Sequence, residues 1–410
     1  MERLHIAFFG PTNSGKSTLV NAIAGQEVSL VSPVPGTTTD PVRKPIEIPG
    51  LGPCVLIDTA GLDDAGILGS ERARRTHAVL DEADVAVEVL SMSQNSGHRE
   101  QNSTESAPNV PDFGTLASQA GIPVIPYTRG ESVESLIRRI QEARPQEEQR
   151  FLTGDLVQAG DTVVLVMPQD SEAPKGRLIL PQVQVIRELL DRGCTPLCCT
   201  PDSLSTALGS LRNPPALVIT DSQAFKAVNQ ALPKEVPLTS FSILLAAAKA
   251  DVDVFIEGAQ ALDHLTPTSR VLIAEACTHV PDTEDIGRVK IPTLLRQRVA
   301  ADGYSDSERS SDWGMDRELY FASEAEQASI NEAPQIDIAA GNDFPENIAD
   351  YDLIIHCGAC VASRQLVRAR TRKALLNGVP ITNYGIALAK LQGMLERVAI
   401  PGSRTRKQSS

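Results

Sequence analysis

Short apolar runs alternate with longer amphipathic stretches along most of the chain. The first run, LHIAFF (Leu4 to Phe9), leads into a glycine-rich loop. A helical pattern follows from Lys16 to Ala24, with Gly25 placed to end it. ADVAVEVLS (83–91) reads as a further buried strand, and ESVESLIRRIQEA (131–143) as an amphipathic helix. The polar RPQEEQR (144–150) reads as a linker. Beyond it, TVVLVMP, ALVITD and DVFIEG are expected to be parallel strands, with PQVQVIRELLDRG and FSILLAAAKA as intervening helices. The alternation resumes with RVLIAEACTH, YDLIIHCGAC and VPITNYG. It is broken by a polar, acidic insert at 298–327, which reads as a surface loop. Residues 91–112 share that composition, and no short-period repeat is visible. The predicted architecture is α/β. It comprises an N-terminal domain (1–147) that opens strand–glycine loop–helix and two further α/β domains with parallel sheets, 152–264 and 265–400, with a structural or oligomerisation role the default expectation for 152–264.

Bulk composition narrows the function classes. The 410 residues are 41% hydrophobic but only 4% aromatic, so the cores lean on Val, Ile, Leu and Ala. The formal net charge of −14 provides no global field to attract phosphate, which argues against nucleic acid or an anionic membrane as partner. No apolar run reaches the ~18 residues of a membrane span. No charged-then-apolar leader precedes Leu4, so a cytoplasmic location is expected. The seven cysteines, at 54, 194, 198, 199, 277, 357 and 360, are odd in number and sparse, which fits a reducing compartment.

Gly10-Pro11-Thr12-Asn13-Ser14-Gly15-Lys16-Ser17 matches G-x-x-x-x-G-K-[ST] between a strand and a helix, the context the motif requires. Backbone N–H groups of such a loop point at phosphate oxygens, Lys16 reaches the β- and γ-phosphates, and Ser17 holds magnesium. Thr38, in PGTTTD, is placed to close on magnesium. Asp58 ends the apolar VLID, where a carboxylate binds magnesium through water, and Gly61 offers its N–H to a γ-phosphate. The order of these elements resembles the Era/TrmE type of GTPase. In several of those an Asn in the phosphate loop helps to bind potassium, and Asn13 stands at that place. The guanine-reading Asn-Lys-x-Asp is absent from the chain; the only Lys-x-Asp is Lys249-Ala250-Asp251, far downstream. GIPVIPYTRG (121–130) resembles the strand and loop that ordinarily follow the base-reading motif, so 91–112 replaces the specificity element. Weak guanine discrimination and slow hydrolysis are expected.

Cys277-Thr278-His279 and His356-Cys357-Gly358-Ala359-Cys360 each follow an apolar run. Ligand sites in open α/β sheets gather outside the carboxyl ends of strands, so the two clusters can converge. Three chemistries fit. A redox pair uses Cys357 and Cys360 but leaves Cys277 and His279 unexplained. Structural zinc takes three Cys and one His. An iron–sulfur cluster takes three thiolates and an exchangeable fourth ligand. Spacing alone does not choose between zinc and iron–sulfur. Cys54, Cys194, Cys198 and Cys199 read as small buried hydrophobes.

PGTTTDPV, APKGRLILPQVQ, LIAEACTH, DIGRVKIP, HCGAC and GVPITNYG, in that order, resemble the HydF family, the GTP-binding maturation proteins of FeFe-hydrogenase. The resemblance implies a GTPase domain, a dimerisation domain and a cluster-binding domain in a homodimeric scaffold. It implies a 4Fe-4S cluster on Cys277, Cys357 and Cys360, with His279 or His356 in the fourth position. It also implies GTP with magnesium bound at Gly10, Asn13, Ser14, Gly15, Lys16, Ser17, Thr18, Thr38, Asp58 and Gly61. The partners implied are two radical-SAM maturases, which supply a di-iron precursor, and the apo-hydrogenase that receives it. Two other classes are a ribosome or RNA assembly GTPase with structural zinc and a thiol oxidoreductase using Cys357 and Cys360.

Overall fold

The computed structural model describes residues 3–25, 41–61, 69–90, 113–144, 151–169, 176–276, 285–302, 333–341 and 343–403, with backbone only at 69–75 and 301–302. Thr38, Cys277, His279, the segment 91–112 and most of the 298–327 insert lie outside those residues. The chain divides into two compact units, Met1–Glu148 with Ser363–Arg370, and Gln149–Ala362 with Thr371–Ser410. Among the described residues no helix is long and apolar enough to cross a membrane.

The first unit holds the P-loop GTPase-like fold. Its five strands are β1 (Leu4–Phe9), β2 (Val42–Ile48), β3 (Gly52–Asp58), β4 (Val85–Leu90) and β5 (Val124–Thr128), in the order β2-β3-β1-β4-β5. All six residues of β1 are buried, as expected of a strand covered on both faces. Alternate side chains enter opposite layers. Ile6, Phe8, Leu56 and Val87 face Leu136 and Ile140. Ala7, Phe9, Ile57 and Ala86 face Leu116 and Ala117. Only the edge strand β2 is antiparallel. Strand β5 pairs directly with β4, from Ala86 opposite Val124 to Leu90 opposite Thr128. Among the described residues, four helices accompany the sheet: α1 (Lys16–Ala24), α2 (Gly69–Glu82), α3 (Phe113–Ala120) and α4 (Val133–Ala143).

The second unit contains two four-stranded parallel sheets. One has β6 (Thr162–Val166), β7 (Thr195–Cys199), β8 (Leu217–Thr220) and β9 (Leu238–Ser240), in the order β7-β6-β8-β9. The other has β10 (Arg270–Ala274), β11 (Gln335–Ala339), β12 (Leu353–His356) and β13 (Ile381–Asn383), in the order β11-β10-β12-β13. Both sheets thus run second, first, third, fourth, with strands of five, five, four and three residues. The sequence follows the same rule. Gly176-Arg177-Leu178-Ile179-Leu180-Pro181 opens α5 (Leu180–Asp191), and Gly287-Arg288-Val289-Lys290-Ile291-Pro292 opens α10 (Ile291–Asp302). Leu-Thr-Ser-Phe at 238–241 leads into α8 (Phe241–Lys249), and Ile-Thr-Asn-Tyr at 381–384 leads into the last helix, Tyr384–Leu391. Ser240 and Asn383 both cap those helices, accepting from the N–H of Ile243 and Gly385. The unit is an internal duplication, a long-period repeat that a search for short periods does not detect.

Three sequence expectations change here. DVFIEG is not a strand but the helix α9 (Val252–Gly258). The Asp251 side chain caps it, and Val252, Phe255, Ala259 and Leu262 are buried at helical spacing. The insert begins later than 298, because α10 continues to Asp302. Strands β7, β9 and β11 carry too few alternating apolar residues to declare themselves. Two short helices, α6 (Leu204–Gly209) and α7 (Phe225–Ala231), cover the first of the paired sheets, and α11 (Arg364–Leu376) follows β12. The final helix, Tyr384–Leu391, is α12.

Candidate functional sites

Parallel register aligns the carboxyl ends of β1 and β3, with Phe8 opposite Asp58. The loop after β1 is thereby set against the end of β3. Ser17 Oγ donates to Asp58 Oδ2 at 2.6 Å, and Asp58 is fully buried. Thr59 Oγ1 donates to the Phe8 carbonyl at 2.6 Å, closing the same edge. Lys16, also buried, donates Nζ to the carbonyls of Gly10 (2.9 Å) and Pro11 (2.7 Å). Its ammonium therefore sits inside the loop. Asn13 and Gly15 adopt left-handed backbone (φ 60° and 101°), a loop shape that turns successive N–H groups inward. Gly61 lies against Thr12; a Cβ there would collide with the Thr12 hydroxyl and stand 2.7 Å from its backbone nitrogen. The phosphate loop, Asp58 and Gly61 thus converge as the motif requires, while Thr38 lies outside the described residues.

The second site forms at the carboxyl end of the last sheet. Ala274 is opposite His356, and His356 is opposite Asn383. His356 itself ends β12 and is buried, rather than standing beyond the strand. Its Nδ1 lies 2.9 Å from the Cys357 carbonyl. A carbonyl only accepts, so Nδ1 carries the proton and Nε2 holds the lone pair in the neutral ring. The Cys357 Sγ accepts two backbone N–H groups, from Ala276 (3.1 Å) and Ala359 (3.3 Å). Such bonds stabilise a thiolate and are the kind that tune metal–sulfur centres. Ala276 immediately precedes Cys277 in the sequence, so the two cysteine segments meet at the Cys357 sulfur. Cys357 and Cys360 are each partly exposed in one turn. Two thiols of one turn, N–H donors aimed at sulfur and partial solvent access fit a metal–thiolate centre. Among the described residues no three metal-binding side chains converge.

Several residues around this turn carry no signal in the one-dimensional pattern. Asn383 Nδ2 donates to the Cys357 carbonyl (3.2 Å), and Ser242 Oγ donates to Asn383 Oδ1 (3.1 Å). Glu275 is buried two positions before Cys277 and receives Arg288 at 2.9 Å. The Asp285 carboxylate accepts the Arg288 N–H (2.8 Å). Buried charges of this kind require partners. LIAEA, DIGRVKIP and VPITNYG therefore belong to one assembly around the cysteine turn. The remaining thiols differ from those at 357 and 360. Burial pushes the Cys54 thiol up to about 11 and raises that of Cys194, as expected of inert packing residues. Cys198 departs from the sequence expectation: it is exposed on the edge strand β7, and Cys199 is only partly buried.

Comparison with known proteins separates the regions. The model of the hydrogen maturase F dimerization domain matches residues 152–250, and that of the hydrogen maturase F tetramerization domain matches 253–320 and 324–401. The 50S ribosome-binding GTPase model matches 5–114. The tRNA modification GTPase MnmE of Herminiimonas arsenicoxydans is 43% identical over 113 residues, 26% of this chain and 24% of that protein. The human mitochondrial 5-taurinomethyluridine-[tRNA] synthase subunit GTPB3 is 42% identical over 91 residues, 22% of this chain and 18% of that protein. The chain thus spans a quarter or less of these curated relatives. Among solved structures, Aquifex aeolicus Era bound to GDP and aluminium fluoride is 18% identical, covering 49% of this chain and 93% of that one, with a TM-score of 0.27.

Proposed function

The chain belongs to the hydrogen maturase F family, and on that premise we propose that it is an iron–sulfur scaffold and carrier. In this reading it holds a 4Fe-4S cluster and delivers a di-iron precursor, made by radical-SAM maturases, to apo FeFe-hydrogenase. The observation that carries the reading is the Cys357 sulfur, which receives one backbone N–H from Ala359, in the turn that also bears Cys360, and one from Ala276, the residue that precedes Cys277 in the sequence. Cys277, Cys357 and Cys360 would hold the cluster. His279 or His356 would supply the fourth ligand, and for His356 the nitrogen concerned is Nε2. Three protein thiolates leave one iron open to exchange, which is what a carrier requires and a closed four-cysteine site denies. The protein would act in the cytoplasm as a homo-oligomer.

The N-terminal domain would bind GTP with magnesium on Ser17 and Thr38, next to Asp58, with Asn13 favouring potassium. Direct pairing of β4 with β5 leaves no strand to present an Asn-Lys-x-Asp. Affinity should therefore come from phosphates, and titration calorimetry should find GTP and ATP within about tenfold, or ~1.4 kcal/mol. Selectivity for GTP of a thousandfold would overturn that part. The cluster reading is tested by anaerobic purification, reconstitution with iron and sulfide, and visible and EPR spectra. A brown protein with about four irons per chain is expected. A colourless protein retaining one zinc would sink the proposal.

A further inference from the structure

Lys249 is buried, at 7% exposure, yet it ends α8 in the first of the duplicated halves, far in sequence from any chemistry so far described. Its Nζ donates to the carbonyls of Ala359 (2.6 Å) and Ala362 (2.8 Å). Those carbonyls bracket Cys360. The Ala362 N–H closes the same turn onto the Ala359 carbonyl at 3.2 Å. Ala359 lies in the left-handed region (φ 51°), which is strained for a non-glycine residue and persists only where the surroundings impose it. The amino end of the same helix reaches the other half of the turn. Ser242 packs beside Gly358, where a Cβ would stand 3.3 Å from its hydroxyl, and bonds Asn383, which holds the Cys357 carbonyl. The opposite arrangement also occurs, since α12 of the second half packs on the 222–224 turn of the first, where Asp221 stands in the place of Cys357.

We propose that Lys249 is a positioning residue for the iron–sulfur centre, supplied by the half of the duplication that does not carry the Cys357–Cys360 turn. Its ammonium holds the Cys357–Cys360 turn in its left-handed shape. It also fixes one positive charge beside the centre, favouring the more negative, reduced form. The residue is buried and its ammonium donates to two carbonyls of the turn, so the charge is held at the turn rather than in solvent. The inference rests on the cluster reading above.

The test uses the full chain with Lys249→Met, which removes charge and donor, Lys249→Gln, which keeps an N–H donor, and Lys249→Arg, which keeps the charge. Iron content, melting temperature and the midpoint potential from EPR-monitored titration are measured for each. The neutral variants should keep their iron, while the reduced-to-oxidised ratio at a fixed potential falls about tenfold, a midpoint more negative by about 59 mV for one electron. Lys249→Arg should stay within about twofold of the parent. In the chain without cluster, amides of 358–362 should exchange roughly tenfold faster in Lys249→Met and stay slow in Lys249→Arg. An unchanged midpoint in iron-replete Lys249→Met would overturn the inference and leave the carrier reading intact. Failure of both neutral variants to fold would overturn it too, since Lys249 would then serve the fold alone. A parent protein that takes up no cluster would end both readings.

Discussion

The two halves of the second unit share one topology and separate chemistries. At the end of β8 the chain reads Thr220-Asp221-Ser222-Gln223-Ala224; at the end of β12 it reads His356-Cys357-Gly358-Ala359-Cys360. In the first half the polar groups satisfy one another: Gln182 Nε2 donates to Asp221 Oδ2 at 3.1 Å, and the Ser222 and Ser240 hydroxyls lie 2.8 Å apart. In the second, the Cys357 sulfur stands in the place of Asp221 and backbone N–H groups point at it. The strand ends are equally placed, so the fold offers a site in both halves, and only the residues grafted there decide which one does chemistry. The first half acts on the second through α8.

The comparison breaks most directly at the cysteines. Cys357→Ser should abolish the iron–sulfur chromophore, whereas Asp221→Asn at the matching position should leave iron content unchanged; colour in Cys357→Ser would remove the distinction between the halves. The next largest effect sits at the paired glycines. A Cβ on Gly287 would collide with the Tyr384 hydroxyl and stand 2.8 Å from Glu275 Oε1, so Gly287→Ala should cost about 2–4 kcal/mol in chemical denaturation. Gly176 has open space but φ of 87°, so Gly176→Ala should cost only about 1–2 kcal/mol. Writing the first half into the second with Asn383→Ser removes the bond to the Cys357 carbonyl and should cost about 1 kcal/mol, read from the same denaturation curves. The smallest effect is in thiol reactivity. At pH 8 in the folded chain, Cys198 should alkylate faster than Cys54, because its side chain is exposed even though desolvation raises its thiol. Cys54, whose thiol stays protonated until about pH 11, should remain unlabelled until denaturant is added.

Much of the nucleotide site was legible because its logic is local. A six-residue buried run, a glycine loop and a helix are consecutive in the chain, and Asp58 ends the next apolar run. DVFIEG misled because six apolar and acidic residues fit a strand and a helix alike, and the Asp251 cap decides between them only through its bond to the Asp253 N–H. The repeat was missed because β9 and β13 are three residues long and the matching motifs lie far apart. Cys198 was misjudged because sequence cannot tell an edge strand from a central one.

By itself the sequence determined the α/β class, the phosphate loop with Asp58 and Gly61, and the three cysteines as one candidate set. Each of these is written in residue type and short spacing, which chemistry constrains directly. Only the tertiary structure decided that β5 lies against β4, that the second unit is a duplication, and that Lys249, Ser242 and Asn383 hold the cysteine turn. Those facts depend on strand order and on contacts between residues more than a hundred positions apart. A buried lysine on an apolar helix carries no mark of its partner until the carbonyls that accept its protons are placed beside it.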